Sequence, residues 1–190
     1  IVDSKTYPKT KEDSSIGLLL KHTGKPAIVI GAGPSITEHK HLELLANSKF
    51  DGVLLVTDRM VAPALKKGVT PNKFPYYFVV SVDGSRTEIP KFFEDPILGS
   101  VSGCDLNDFA SKITFLFAST GSPPAVNHVL ELGGKIRWFH GMLDNFGQLD
   151  SVTSFMNYMT GSTCINCLGN TGGACLPPGT LVSCNPEETL

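Results

Sequence analysis

The chain has no surplus of charge of either sign. Sixteen Lys+Arg stand against eighteen Asp+Glu, a net charge of −2, so the composition does not mark a nucleic-acid or membrane-surface binder. No apolar run approaches the roughly 18–20 residues that a membrane span requires. The opening fifteen residues, IVDSKTYPKTKEDSS, lack the apolar stretch of a signal peptide. They also lack an initiator Met, so we expect a trimmed chain whose targeting segment, if any, went with it. The five cysteines are odd in number, and a chain of this size does not need disulfide staples. We therefore expect a reducing, cytoplasmic setting. Only 18% of the residues are charged and 41% are hydrophobic, which excludes global disorder and provides for a core. One α/β domain fits the length. Residues 1–23 read as an N-terminal extension and 24–190 as a Rossmann-like nucleotide-binding domain with an incomplete C-terminal end.

What the chain does have is a regular alternation. Ala27–Ile30, 52–58, 76–82, 113–118 and 136–139 are apolar runs of strand length. Runs apolar at every position suit parallel strands buried on both faces. Helices are expected over 36–48, 59–68, 124–132 and 149–159, with Gly68 placed as a C-terminal cap. The fold class is therefore α/β, Rossmann-like, a mostly parallel sheet with helices on both faces. In such sheets ligands sit beyond the carboxyl ends of the strands, where strand order reverses. The residues after the runs should therefore meet on one rim.

Those residues carry the chemistry. Gly31-Ala32-Gly33-Pro34-Ser35 follows the first run. Glycines there allow a ligand close to the backbone, the helix start offers N–H groups to a phosphate, and Ser35 adds a hydroxyl. It is neither the dinucleotide fingerprint nor a P-loop. Asp58 and Asp83 each end a run. A pair of rim aspartates suits a magnesium ion on a phosphate-bearing substrate, but each also has a bland reading, a helix cap for Asp58 and a turn with Gly84 for Asp83. His140, at the end of the fifth run, could serve as a general base or hold phosphate, though a structural histidine is common there. Cys164-Ile165-Asn166-Cys167 has zinc-ligand spacing, but Cys175 and Cys184 lie nine positions apart and do not complete a ribbon. Buried thiols are the expectation.

Three stretches together resemble the family of the archaeal 6-hydroxymethyl-dihydropterin pyrophosphokinases (MptE-like), whose bacterial relatives are motility accessory factors. They are Gly24–Ser35, then Gly68-Val69-Thr70-Pro71 with Val79–Asp83, and then Gly169-Asn170-Thr171-Gly172-Gly173 with Cys184-Asn185-Pro186. His140 with Asp144-Asn145 is similar to the archaeal His-x-x-x-Asp-Asn segment. Met142 departs from it, standing where those enzymes have a second histidine. The Gly-x-Gly-Pro-Ser loop is also similar to one beside the nucleotide in bacterial sialyltransferases that use CMP-sialic acid.

The resemblance implies magnesium-dependent diphosphate transfer from ATP to a 6-hydroxymethyl-dihydropterin-like acceptor. It implies Gly31, Gly33, Pro34, Ser35, Asp58, Gly169, Asn170 and Gly172 around the nucleotide. Asp83, with Asp58, would hold magnesium, His140 and Asp83 would be catalytic, and Asp144 and Asn145 would hold the acceptor. The expected partners are small molecules, a nucleotide and its acceptor, with no nucleic acid and no membrane. A homo-oligomer stays open. Two other functions compete: a glycosyltransferase using a CMP-activated nonulosonic acid, and a nucleotide-binding module without catalysis.

Overall fold

A computed structural model describes residues 19, 21–99, 108–146, 148–162, 164–167 and 170–175. The expected N-terminal extension up to residue 18, the Gly169 position and Cys184 lie outside the described residues. The sheet has six strands: β1 (Ala27–Ile30), β2 (Val53–Thr57), β3 (Tyr77–Ser81), β4 (Thr114–Ala118), β5 (Lys135–Gly141) and β6 (Cys164–Ile165). All neighbouring pairs are parallel. The fold is α/β and Rossmann-like. The five apolar runs all become strands, and β6 is an addition from a stretch whose sequence shows no period.

The helices are α1 (Pro34–Glu38), α2 (His41–Ala46), α3 (Val61–Lys66), α4 (Pro123–Glu131) and α5 (Val152–Thr160). The single helix expected over 36–48 is two helices. They are separated at Lys40, whose φ of 52° is left-handed. Residues 58–60 form a 3-10 turn before α3, so that helix starts later than its sequence suggests. Gly68 follows α3 with φ of +86°, the left-handed cap expected of it.

Strand order is β1-β2-β3-β4-β5-β6. The expected reversal of order is therefore not found among the described strands. Right-handed crossovers between successive neighbours place their helices on one face of a sheet. The packing agrees. Leu42 of α2, Val61, Ala64 and Leu65 of α3, and Ala125, Val126 and Val129 of α4 join one core with Leu54, Val56, Val79, Phe115 and Phe117. The opposite face, with Val53, Leu55, Phe78, Val80 and Leu116, is covered by Leu19, Ala174 and Cys175. Residues 171–175 are helical, so helices do lie on both faces, but α2, α3 and α4 pack on only one. Apolar material on both sides explains why β2 and β3 are buried at every position.

Candidate functional site

Parallel pairing sets the rim. Ile30 is opposite Val56 and Thr57 opposite Val80, so Gly31, Asp58 and Val82 leave the sheet side by side. Gly31, Gly33 and Asp58 line one cavity of about 470 Å³, and Asn170 and Gly172 close it from the far end of the described chain. Sequence positions nearly the whole domain apart thus meet at one place.

The two loop glycines are not required by the backbone. Gly33 is extended (φ −143°, ψ 154°). A Cβ added at Gly31 meets nothing within 4 Å, and one at Gly33 meets only Ser35 Oγ at 3.9 Å. What they leave open is space at the cavity mouth. Among the described residues, no hydrogen bond uses the N–H of Gly31, Ala32 or Gly33. Pro34 opens α1, which has five residues, and no side chain caps it. So short a helix has a small aligned dipole, and any attraction for an anion comes from the unused N–H groups. Ser35 is exposed and lines neither this cavity nor the larger one beside it.

Asp58 is 4% exposed. Its Oδ2 accepts Ser81 Oγ at 2.8 Å and its Oδ1 accepts the Arg59 N–H at 2.8 Å. The bond to Arg59 satisfies one N–H of the 3-10 turn, but Thr57 and Met60 stand at the caps of that turn and of α3, so Asp58 is not the helix cap its sequence position allowed. Burial pushes its pKa up against these hydrogen bonds, and the charge of Asp83 adds to the rise. It forms no ion pair among the described residues. Next to it in the cavity wall is Thr57, 4% exposed, whose hydroxyl is buried without a partner. The Cys175 thiol lies near enough for the Asp58 charge, after burial, to help push it up to about 12.

Asp83 is exposed and its Oδ1 accepts the Ser85 N–H at 2.8 Å, the turn geometry of an Asp-Gly pair. Gly84 has its own reason: a Cβ there would sit 2.6 Å from the Thr120 carbonyl oxygen. Asp83 lies beside the cavity without lining it.

His140 is not brought to the cavity. The ring is 3% exposed, with Nδ1 2.8 Å from Ser119 Oγ and Nε2 2.8 Å from Thr160 Oγ1. Thr160 donates its hydroxyl proton to the Met156 carbonyl at 2.7 Å. It must therefore accept from Nε2–H, and in the neutral ring Nδ1 accepts from the Ser119 hydroxyl. Burial lowers its pKa in the same sense. Asp144 is also engaged. Its carboxylate accepts Ser151 Oγ at 2.7 Å and the N–H groups of Val152 (2.7 Å) and Thr153 (3.1 Å). It thus satisfies the first turn of α5, and the bonds from Ser151 and Thr153 hold its pKa down to about 2. Asn145 is exposed, and its carbonyl accepts the Gln148 N–H. Neither Asp144 nor Asn145 lines the Asp58 cavity or the larger one beside it.

Arg59 was not apparent from the sequence. It is exposed, has no acidic partner among the described residues, and lines both the Asp58 cavity and the larger one. Its signal was a cation directly after a strand-end aspartate. The cysteines Cys164, Cys167 and Cys175 are free thiols. Neither a protein-family model, nor a curated protein, nor a solved structure matches this chain.

Proposed function

We propose that this domain binds the phosphates of a nucleotide at the carboxyl ends of β1 and β2. The observation that carries the reading is the convergence of Gly31, Gly33, Asp58, Arg59, Asn170 and Gly172 on one cavity. N–H groups and a guanidinium that have no partner among the described residues offer donors to an anion. The two glycines keep the backbone approachable.

Magnesium fits the donors beside it. Asp58 is a buried carboxylate that forms no ion pair among the described residues, Asp83 adds a second negative charge, and Thr57 contributes a hydroxyl without a partner among them. No cluster of three or more His, Cys, Asp or Glu side chains suited to a metal occurs among the described residues. Magnesium needs none when phosphates and water complete its shell. When bound, it supplies charge neutralisation to a phosphate group in transfer.

From the family resemblance, the reaction at this site is diphosphate transfer from ATP. The acceptor's hydroxymethyl oxygen attacks the β-phosphorus, the bond to the bridging oxygen of the α-phosphate breaks, AMP leaves, and the hydroxyl proton is released. Gly31–Gly33 and Arg59 hold the phosphates in line, and Asp58 and Asp83 hold the cation. Positioning and charge stabilisation are most of what such transfers require. A second reading, a nucleotide-binding module without transfer, is favoured by His140, whose two ring nitrogens are already taken by hydroxyls.

Gly33→Val tests the site. The extended backbone and the open space accept valine, so the melting temperature should stay within about 2 °C, a change under roughly 1 kcal/mol at this size. Affinity for ATP, measured by titration calorimetry with magnesium, should fall at least about 100-fold, or ~2.7 kcal/mol. Wild-type affinity in a folded variant would remove the loop as the phosphate site. Turnover of ATP to AMP with a reduced pterin acceptor separates the transferase from the module.

A further inference from the structure

A second, larger cavity of about 670 Å³ lies on the other side of the Gly33 turn, toward α2 and α3. Its size is that of an ordinary small-ligand pocket. The two cavities share Ala32, Gly33 and Arg59, so a phosphate held at that common wall can extend its remaining parts to either side. The sides differ in chemistry. Asp58, Asn170 and Thr171 face the smaller cavity. Ile36, Leu42, Met60 and Pro63 give the larger one an aliphatic lining, and Thr37 is its only uncharged side chain with a polar atom.

No acidic side chain lines the larger cavity, but three cations do: Arg59, Lys66 and Lys67. Lys66 pairs with Asp95, and Lys67 with Glu43 at 2.7 Å. Both lysine side chains are more than half exposed, and exposed pairs of this kind contribute only about 0–1 kcal/mol. They can be exchanged for a ligand's phosphate at little cost.

We propose that the larger cavity takes the heterocyclic base and sugar of the nucleotide, with the phosphate chain running past Gly33 and Arg59 toward Asp58. The inference rests on the nucleotide-phosphate reading of the site and adds the direction in which the ligand lies. A flat ring gains dispersion and burial against Ile36, Leu42, Met60 and Pro63, which the hydrated Asp58 side does not offer. The cations keep the rim attractive to a polyanion during approach.

The experiment compares magnesium ATP with magnesium tripolyphosphate, which has phosphates and no base, by titration calorimetry on the full chain. Thr37 is exposed on α1, and Thr37→Trp fills the larger cavity without disturbing the core. ATP affinity should drop at least about tenfold in this variant, ~1.4 kcal/mol, while tripolyphosphate affinity stays as in the wild type. Gly33→Val should weaken both. If Thr37→Trp weakens neither probe, or both equally, the base does not lie there and the inference fails while the phosphate site stands. If the wild type binds neither probe, the phosphate reading itself fails. A measurement on the unaltered protein guards against misfolding of the variant: photolabelling with 8-azido-ATP should mark peptides containing 36–42 or 60–67. Label found only elsewhere overturns the placement.

Discussion

His140→Phe separates a structural histidine from a catalytic one. Phenylalanine fills similar space but cannot bond to Ser119 or Thr160, which lie 2.8 Å from the two ring nitrogens. A net intramolecular hydrogen bond contributes about 1 kcal/mol, so the variant should lose about 2 kcal/mol, or some 4–8 °C of melting temperature at this chain length. The pH dependence gives a second readout. Burial lowers the folded pKa of His140 below its ordinary 6.5, so between the two values the unfolded chain binds the extra proton. The stability tied to the neutral ring is therefore complete above pH 6.5 and is lost as pH falls through the folded pKa, at about 1.4 kcal/mol for each unit of depression. His22 is also depressed, by burial and then by Lys25 and Lys21, but it acts in both proteins and cancels in the difference. Urea unfolding at pH 7.5 and pH 5 measures all of this. The reasoning is refuted if the variant loses less than about 0.5 kcal/mol at pH 7.5, well under one net hydrogen bond, or if both proteins lose equal stability on acidification. A free catalytic histidine would give that result together with a loss of turnover.

Asp58→Asn should raise the melting temperature of the ligand-free protein by about 2–4 °C, roughly 1 kcal/mol, because burial disfavours its ionised form. The same change should abolish the extra stabilisation that magnesium adds to ATP, and a thermal-shift series with and without magnesium reads both effects. Asp83→Asn keeps an oxygen for the Ser85 N–H, so its stability should not move while magnesium-dependent turnover falls by orders of magnitude; turnover unchanged at every magnesium concentration would leave Asp83 a turn residue. Asp144→Ala should fray the start of α5 without altering nucleotide affinity, visible as faster amide exchange over 152–155, and a loss of affinity instead would return Asp144 to the ligand site.

The strands were legible because β2, β3 and β4 are each apolar at four successive positions, a pattern that needs cover on both faces. The convergence of Gly31 and Asp58 followed from parallel pairing alone. The break at Lys40 was not legible, since nothing about a lysine among Glu38, His39 and His41 favours a left-handed backbone. β6 has two residues and, among the described residues, pairs only with β5, too little to leave a period. Asp144 reads as a polar residue in a His-x-x-x-Asp-Asn segment, yet its donors lie seven to nine positions downstream, beyond the reach of a local capping pattern. His140 was placed correctly at a strand end. Its engagement depended on Ser119 and Thr160, which only the folded sheet brings to it.

The cover of the second sheet face has a consequence during synthesis. β1 to β5 and the helices of the first face are complete once residue 141 has been made. Val53, Leu55, Phe78, Val80 and Leu116 still lack Ala174 and Cys175 at that moment. Leu19 already belongs to that face, so a nascent chain carries a partly uncovered apolar strip until residues 170–175 leave the ribosome, the condition in which partly made domains associate wrongly or recruit chaperones. The segment that ends this exposure also brings Asn170, Thr171 and Gly172 to the cavity. On the proposed function, a nucleotide bound there would favour the chain in which residues 170–172 are in place.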